Sequence, residues 1–266
     1  FPQKAVVACQ GVEGAYSQHA CEKIFKAPSI VYFASFDNVF NAVDKGLCQY
    51  GILPIENSTA GSVNHVYDLM EKYNYYIVRS TRLRVDHSLL AKKHTHLKDI
   101  TEVFSHQQAI DQCSDFLKSL EGVKITICEN TAAAAKSVAE SGRSDIAAIS
   151  SSDCAGLYNL NVLAADIQNS DNNHTRFICI SKNLEIYPGS NRTSLVMTIP
   201  HKPGSLYNVM ARISALNINL QKLESRPLPG RDFEFAFYFD IDCSVYDPAF
   251  ISLMGELDKY IPHFSY

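Results

Sequence analysis

Four short stretches place hydroxyl, amide and charged side chains where an apolar strand ends or begins. Ala15-Tyr16-Ser17-Gln18 and Ser105-His106-Gln107-Gln108 sit at strand-to-helix junctions. Glu56-Asn57-Ser58 closes the apolar run at 51–55, and Asn173-His174-Thr175-Arg176-Phe177 opens another. The first N–H groups of a helix have no intrahelical partner and carry partial positive charge, which suits carboxylates. Such sites therefore point to a small anion, with two carboxylates, one addressed by each half of the chain. The competing reading is that Ser, Thr and Asn at these places only cap helices.

The elements that must hold these residues can be read from periodicity. Strand-like runs at 4–9, 51–55, 102–104, 124–128 and 145–150 alternate with helical spacing at 15–25, 36–43, 62–73, 107–120 and 131–141. A long extended run covers 75–91. This is an α/β pattern with a largely parallel sheet expected in each half. The halves echo each other: ILPIENSTAG at 52–61 and AAISSSDCAG at 147–156 each end an apolar strand in small polar residues. Two such lobes imply a cleft at the carboxyl ends of their strands. Residues 163–173 read as the return from the second lobe, which puts Thr175 at the hinge side. Asn173 and His174 are expected to shape that turn.

Composition narrows the class. The net charge of −4 is spread along 266 residues and gives no electrostatic case for nucleic acid or an anionic membrane. No apolar run approaches the roughly 20 residues of a membrane helix. The start at Phe1-Pro2-Gln3-Lys4 shows no leader pattern and lacks Met, so a trimmed or processed chain and a cytoplasmic location are expected. The eight cysteines form no C-x-x-C pair and read as buried thiols. His94-x-His96 lies in a polar Lys-rich loop, and His87 and His106 stand singly, so no metal site and no cofactor are expected.

Tyr187-Pro188-Gly189-Ser190-Asn191-Arg192 reads as a linker. The order strand, helix, strand, strand, helix, strand follows it over 193–266. That is a ferredoxin-like βαββαβ layout.

Gly11-x-x-Gly14-Ala15-Tyr16-Ser17, Pro54-Ile55-Glu56-Asn57-Ser58-Thr59-x-Gly61 and Asn173-x-Thr175-Arg176-Phe177 together resemble the motif set of the prephenate dehydratases. Gly204-Ser205-Leu206 and Glu224-Ser225-Arg226-Pro227 resemble an ACT domain. The resemblance covers nearly the whole chain, with its motifs in order. It implies a two-lobed, periplasmic-binding-protein-like catalytic domain over 1–186, with lobe I at about 1–79 and 165–186 and lobe II at about 80–164. An ACT regulatory domain over 190–266 would follow.

The activity implied is conversion of prephenate, a small dicarboxylate, to phenylpyruvate with loss of carbon dioxide and water. The resemblance makes Thr175 central to catalysis, as a hydrogen-bond donor to the departing hydroxyl. Arg176 would hold a carboxylate in a bidentate pair or form a salt bridge between lobes, and Phe177 would close the pocket wall or join the core. Glu56 would act as a buried acid, orient the substrate hydroxyl or fix the loop. Ser17, Asn57, Ser58, Ser88, Ser105, Gln107 and Thr131 are the substrate-binding candidates. In the ACT unit, L-phenylalanine is expected as effector at Gly204, Ser205, Leu206, Asn219, Leu220, Glu224 and Ser225. The open edge of such a sheet implies pairing into a homodimer or homotetramer. Arogenate dehydratase, acting on the amino analogue of prephenate, shares these motifs. A non-catalytic two-lobed sensor is the alternative from another class. Members of this family can also follow an upstream chorismate mutase.

Overall fold

The computed structural model describes residues 1–2, 4–228, 234–259, 261 and 264–265. The chain divides into two compact units, Phe1–Leu184 and Glu185–Tyr266.

The first unit runs β1 (Lys4–Gln10), α1 (Tyr16–Ile24), β2 (Ala27–Phe33), α2 (Phe36–Asp44), β3 (Tyr50–Asn57), β4 (Gly61–Ser62), α3 (Asn64–Tyr73) and β5 (Tyr76–Arg84). The chain then crosses into β6 (Ser88–Ala91), β7 (Glu102–Ser105), α4 (Gln107–Gln112), α5 (Ser114–Lys118), β8 (Lys124–Ile127), α6 (Thr131–Glu140), β9 (Ile146–Ser150), α7 (Asp153–Leu157) and β10 (Asn161–Ala164). It returns as β11 (His174–Ser181).

Two sheets form two lobes. The first has the order β2-β1-β3-β11-β5, with β4 paired to β3; the second has the order β10-β6-β9-β7-β8. Each is mixed rather than largely parallel. β1 is parallel to β2 and β3, but β11 inserts antiparallel between β3 and β5. β7 is parallel to β8 and β9, while β6 runs against β9 and β10. The strands that carry the chain between lobes lack a βαβ crossover, so nothing forces them parallel.

The extended run at 75–91 splits in two. β5 stays in the first sheet through Arg84, so the crossing falls at 85–87, later than the boundary near 79–80 read from sequence. The helix expected over 107–120 is interrupted at Cys113, whose φ of −113° ends α4. β2 was not anticipated. It is an edge strand, where Pro28 removes no interior bond, and its half-exposed residues give no clean apolar run.

The first lobe closes over a core that includes Val7, Cys9, Ala20, Phe25, Ile52 and Cys179. The second is filled by two clusters, one containing Leu89, Val103 and Ile149 and the other Leu90, Ala134 and Ala148. All eight cysteines are free thiols. Among the described residues, no helix is long and apolar enough to cross a membrane.

The second unit runs β12 (Thr193–Thr198), α8 (Ser205–Ala215), β13 (Leu220–Pro227), β14 (Phe235–Ile241), α9 (Pro248–Leu257) and β15 (Phe264–Ser265). Its sheet order is β13-β14-β12-β15, antiparallel throughout. This is the ferredoxin-like βαββαβ arrangement. Alternate residues of β12 are buried, and Leu195, Met197, Val209, Ile213, Phe239 and Leu253 share one core. Phe233, Tyr260, His263 and Tyr266, which fall in the last three elements of the order read over 193–266, lie outside the described residues.

Candidate active site

A cavity of about 420 Å³ lies between the two lobes of the first unit. Its first-lobe wall comes from the ends of β1 and β3, the start of β11 and the starts of α1 and α2. Its second-lobe wall comes from the crossover at 85–87, from α4 and from the start of α6. This is where ligands of open α/β sheets sit.

The first turns of several helices border this space, α1, α2 and α6 among them. Ala15, Tyr16 and Ser17 open α1; Ser35, Phe36 and Asp37 open α2; Asn130 and Thr131 open α6. Ser35 caps the Asn38 N–H at 3.3 Å and Asn130 caps Ala133 at 2.8 Å, while α1 has no side-chain cap. The N–H groups of Tyr16, Phe36 and Thr131, each the first residue of its helix, remain as donors. Among the described residues, no lysine or arginine lines the cavity. The positive potential available here comes from backbone N–H groups rather than from lysine or arginine side chains.

The motif at 173–177 is parted by strand geometry. Thr175 and Phe177 border the cavity. Arg176, one residue between them, must face the other way. Its Nε lies 2.6 Å from Glu56 Oε1, and both residues stand outside the cavity lining. Arg176 is therefore not placed to clamp a substrate carboxylate, nor Glu56 to reach the substrate hydroxyl. They lock β3 to β11, where they are register partners. A bulge at Ile55 follows immediately: Arg176 pairs with Glu56, but Phe177 pairs with Pro54. That extra residue turns Pro54 toward the cavity beside Asn57.

Asn57 organises the site. Its Oδ1 accepts from the Thr59 N–H and Ala60 N–H, each at 3.0 Å, and from the Thr59 hydroxyl at 2.7 Å. Backbone donors thus fix the amide orientation, and Nδ2 must face the other way. It donates to Thr175 Oγ1 at 2.9 Å and to Asn173 Oδ1 at 2.8 Å. Asn173 donates to Gln112 Oε1 at 2.9 Å, and Gln112 Nε2 donates to Thr59 Oγ1 at 2.8 Å. Asn57, Thr59, Gln112 and Asn173 form a closed ring of hydrogen bonds with every direction consistent. Gln112 comes from the second lobe, so the ring also ties the lobes together.

Two consequences follow for the groups on the ring. Thr175 Oγ1 accepts from Asn57, so its own proton is available for another acceptor. His87 Nε2 lies 2.9 Å from the same Gln112 oxygen, and an amide oxygen can only accept, so His87 carries its proton on Nε2. Burial lowers the pKa of His87 and also that of His106, favouring neutral rings.

The remaining sequence candidates divide. Ser17 and Thr131 line the cavity; the Ser17 hydroxyl donates to the Gln10 carbonyl at 2.5 Å. Ser58 does not line it. Its hydroxyl bridges the Asn172 carbonyl and the His174 N–H, a clasp between β3 and the approach to β11. Ser88 is buried at the start of β6 opposite Ser150, and Ser105 donates to the Ile149 carbonyl at 2.7 Å within the second sheet. Gln107 donates to Asp111 along α4. None of these three borders the cavity. Asn173, expected only to shape the turn, is 2% exposed and part of the ring.

In the second unit, Gly204 precedes α8 at φ +83°, a conformation glycine adopts freely. Ser205 and Leu206 border a cavity of about 110 Å³, whereas Asn219 and Leu220 border a different one of about 300 Å³. Asn219 donates to Asp242 at 2.9 Å. Glu224 and Ser225 lie on β13 and border neither.

Fold and site define a two-lobed α/β protein with a polar cleft between its lobes, joined to a ferredoxin-like unit. Comparison with known proteins narrows this. The sequence profile described as prephenate dehydratase matches residues 7–185. Arogenate dehydratase/prephenate dehydratase 2, chloroplastic, of Arabidopsis thaliana is 38% identical over 96% of this chain and 69% of its own length. The bifunctional chorismate mutase/prephenate dehydratase of Escherichia coli K12 is 33% identical over 97% of this chain and 68% of its own. Among solved structures, the prephenate dehydratase of Arthrobacter aurescens in complex with L-Phe has a TM-score of 0.87 at 24% identity, covering 97% of this chain and 88% of that one. GqqA, described as a novel type of quorum quenching acylase, has a TM-score of 0.87 at 28% identity, covering 98% and 95%. The chain belongs to the prephenate dehydratase family. Its activity class is that of a dehydratase, a carbon–oxygen lyase.

Proposed function

We propose that the chain converts prephenate to phenylpyruvate, with arogenate as the alternative substrate. The ring carboxylate leaves as carbon dioxide, and its bonding electrons enter the ring. The ring C–O bond breaks with its electron pair on the oxygen, which takes up one proton from solvent and is released as water. Aromatisation drives both cleavages. The protein needs to hold two carboxylates and to stabilise the departing oxygen. The first turns of α1, α2 and α6 serve the first need. Thr175 serves the second.

The observation that carries this reading is the hydrogen bond from Asn57 Nδ2 to Thr175 Oγ1. A threonine hydroxyl is too weak an acid to act by pKa alone. Held as an acceptor on one side, it presents its proton to the leaving oxygen in a fixed direction. Phe177 forms wall beside it, while Arg176 and Glu56 hold the strand that carries it.

The test is phenylpyruvate formation from prephenate by the wild type and by Thr175→Ala. Loss of one such donor lowers kcat by about 10²–10³-fold, with much less effect on equilibrium binding of prephenate. Wild-type protein that binds prephenate without turnover refutes the enzymatic reading. Full activity in Thr175→Ala refutes the role of the residue alone.

The likeness to a protein described as an acylase raises amide hydrolysis as a second reading. The site favours dehydration. Ser17 donates to a carbonyl, and the Thr175 oxygen is held by an amide rather than by a base.

Residues 190–266 are proposed as an ACT-type unit that binds phenylalanine and lowers activity as end-product feedback. The βαββαβ order and the glycine-led start of α8 support it. The relative from Arthrobacter aurescens is described in complex with L-Phe. β13 is a sheet edge, which supports pairing of two copies.

A further inference from the structure

Prephenate and arogenate differ at one carbon. The first carries a keto oxygen beside its side-chain carboxylate and the second an ammonium. A site that separates them must offer an acceptor to the ammonium, next to donors for the carboxylate.

Two carboxylate side chains line the cavity among the described residues, Asp37 and Glu129. Asp37 is the second residue of α2, a helix of 9 residues. Its Oδ2 lies 2.7 Å from Nε2 of His65, on α3, and His65 also lines the cavity. The pair fixes the carboxylate, and the hydrogen bond from His65 holds the Asp37 pKa below its usual value. The Asp37 N–H donates to its own carboxylate, and Ser35 caps only the Asn38 N–H, so the Phe36 N–H remains as a donor in the same turn. One turn of chain thus presents a fixed acceptor and a free donor together. An α-amino acid end presents the matching ammonium and carboxylate on one carbon. Glu129 precedes α6 in the opposite lobe and is exposed.

We infer that Asp37, held by His65, is the specificity-determining residue of this cleft, accepting from the ammonium of an α-amino substrate. The inference rests on the dehydratase reading above. Neither residue belongs to the ring that carries Thr175.

The experiment compares kcat/KM for arogenate and prephenate in the wild type, Asp37→Asn, Asp37→Glu and Glu129→Gln. Asp37 is 48% exposed at its side chain, so solvent limits its effect. The arogenate-to-prephenate ratio is expected to fall about fivefold in Asp37→Asn. It should return to within about twofold of wild type in Asp37→Glu, which restores the charge. Thermal unfolding of each variant separates specificity from misfolding, because loss of fold lowers both substrates together and leaves the ratio alone. The inference is overturned if the ratio is unchanged in Asp37→Asn, if Glu129→Gln is the variant that shifts it, or if the wild type does not turn over arogenate. Turnover of neither substrate by the wild type would instead refute the dehydratase reading.

Discussion

At the scale of single residues, the direction of one hydrogen bond sets what Thr175 can do. Asn57 donates to Thr175 because backbone N–H groups of Thr59 and Ala60 occupy its carbonyl oxygen. Asn57→Asp reverses that direction with almost no change in shape. A carboxylate cannot donate, so Thr175 would turn its proton toward residue 57 and away from the substrate. The expected result is a fall in kcat of about 10²-fold or more, comparable to that of Thr175→Ala, in protein that retains its circular dichroism. A variant with wild-type kcat would sink the polarity argument while leaving the cavity untouched. Asn57 and Thr175, which border the cavity, were legible in the sequence because each lies near a strand end, where polar side chains meet a cleft. Arg176 was misread because adjacency in sequence places it on the opposite face of the strand, beside Glu56. Gln112 and Asn173 were missed because polar residues in a helix and a turn look like surface, and only the closed ring shows their role.

At the scale of elements, the cleft depends on how the loop before α1 is held. Tyr158, following α7, donates to the Glu13 carbonyl at 2.6 Å, and the Cys154 thiol donates to that of Gly14 at 3.6 Å. Tyr16 donates to the Asp86 carbonyl at 2.6 Å, and Ala15 packs in the core of the second lobe. The second lobe therefore positions the first turn of α1, one of those that border the cavity. Gly14 has φ +87°, and a Cβ there would stand 2.9 Å from Cys154 Sγ and Leu157 Cδ2. Gly61 has φ +80° but open space around it. Gly14→Ala thus combines backbone strain with overpacking, while Gly61→Ala has the strain alone. Gly14→Ala should lose about 2–4 kcal/mol and Gly61→Ala about 1 kcal/mol, read from denaturant midpoints. KM for prephenate should rise in Gly14→Ala more than kcat falls. Equal destabilisation by the two would show that α7 does not set this loop. The loop was visible in the sequence as Gly11-x-x-Gly14, but its partner was not, since α7 is 140 residues away. The α2 junction escaped for a related reason. β2 is a half-exposed edge strand, so Ser35-Phe36-Asp37 did not register as a strand-to-helix junction.

At the scale of the whole molecule, two units with separate cores need not unfold together. Ile52 is fully buried in the first unit and Phe239 in the second. Ile52→Ala and Phe239→Ala each remove core contacts expected to cost about 2–5 kcal/mol. In scanning calorimetry, each substitution should lower a different transition, which labels the two units without cutting the chain. The labelled transitions then locate phenylalanine. A ligand that binds the folded state adds about 2.7 kcal/mol at a hundredfold excess over Kd. If the βαββαβ unit is the effector site, L-phenylalanine at millimolar concentration should raise the transition that Phe239→Ala lowers. A shift confined to the transition marked by Ile52→Ala would place phenylalanine in the catalytic cleft, as a product-like competitor. A single transition lowered by both substitutions would show that the units melt as one. Phenylalanine would then be located by calorimetric titration of Thr175→Ala in the presence of prephenate. Undiminished heat of binding there supports a site outside the cleft, and its loss places phenylalanine within it.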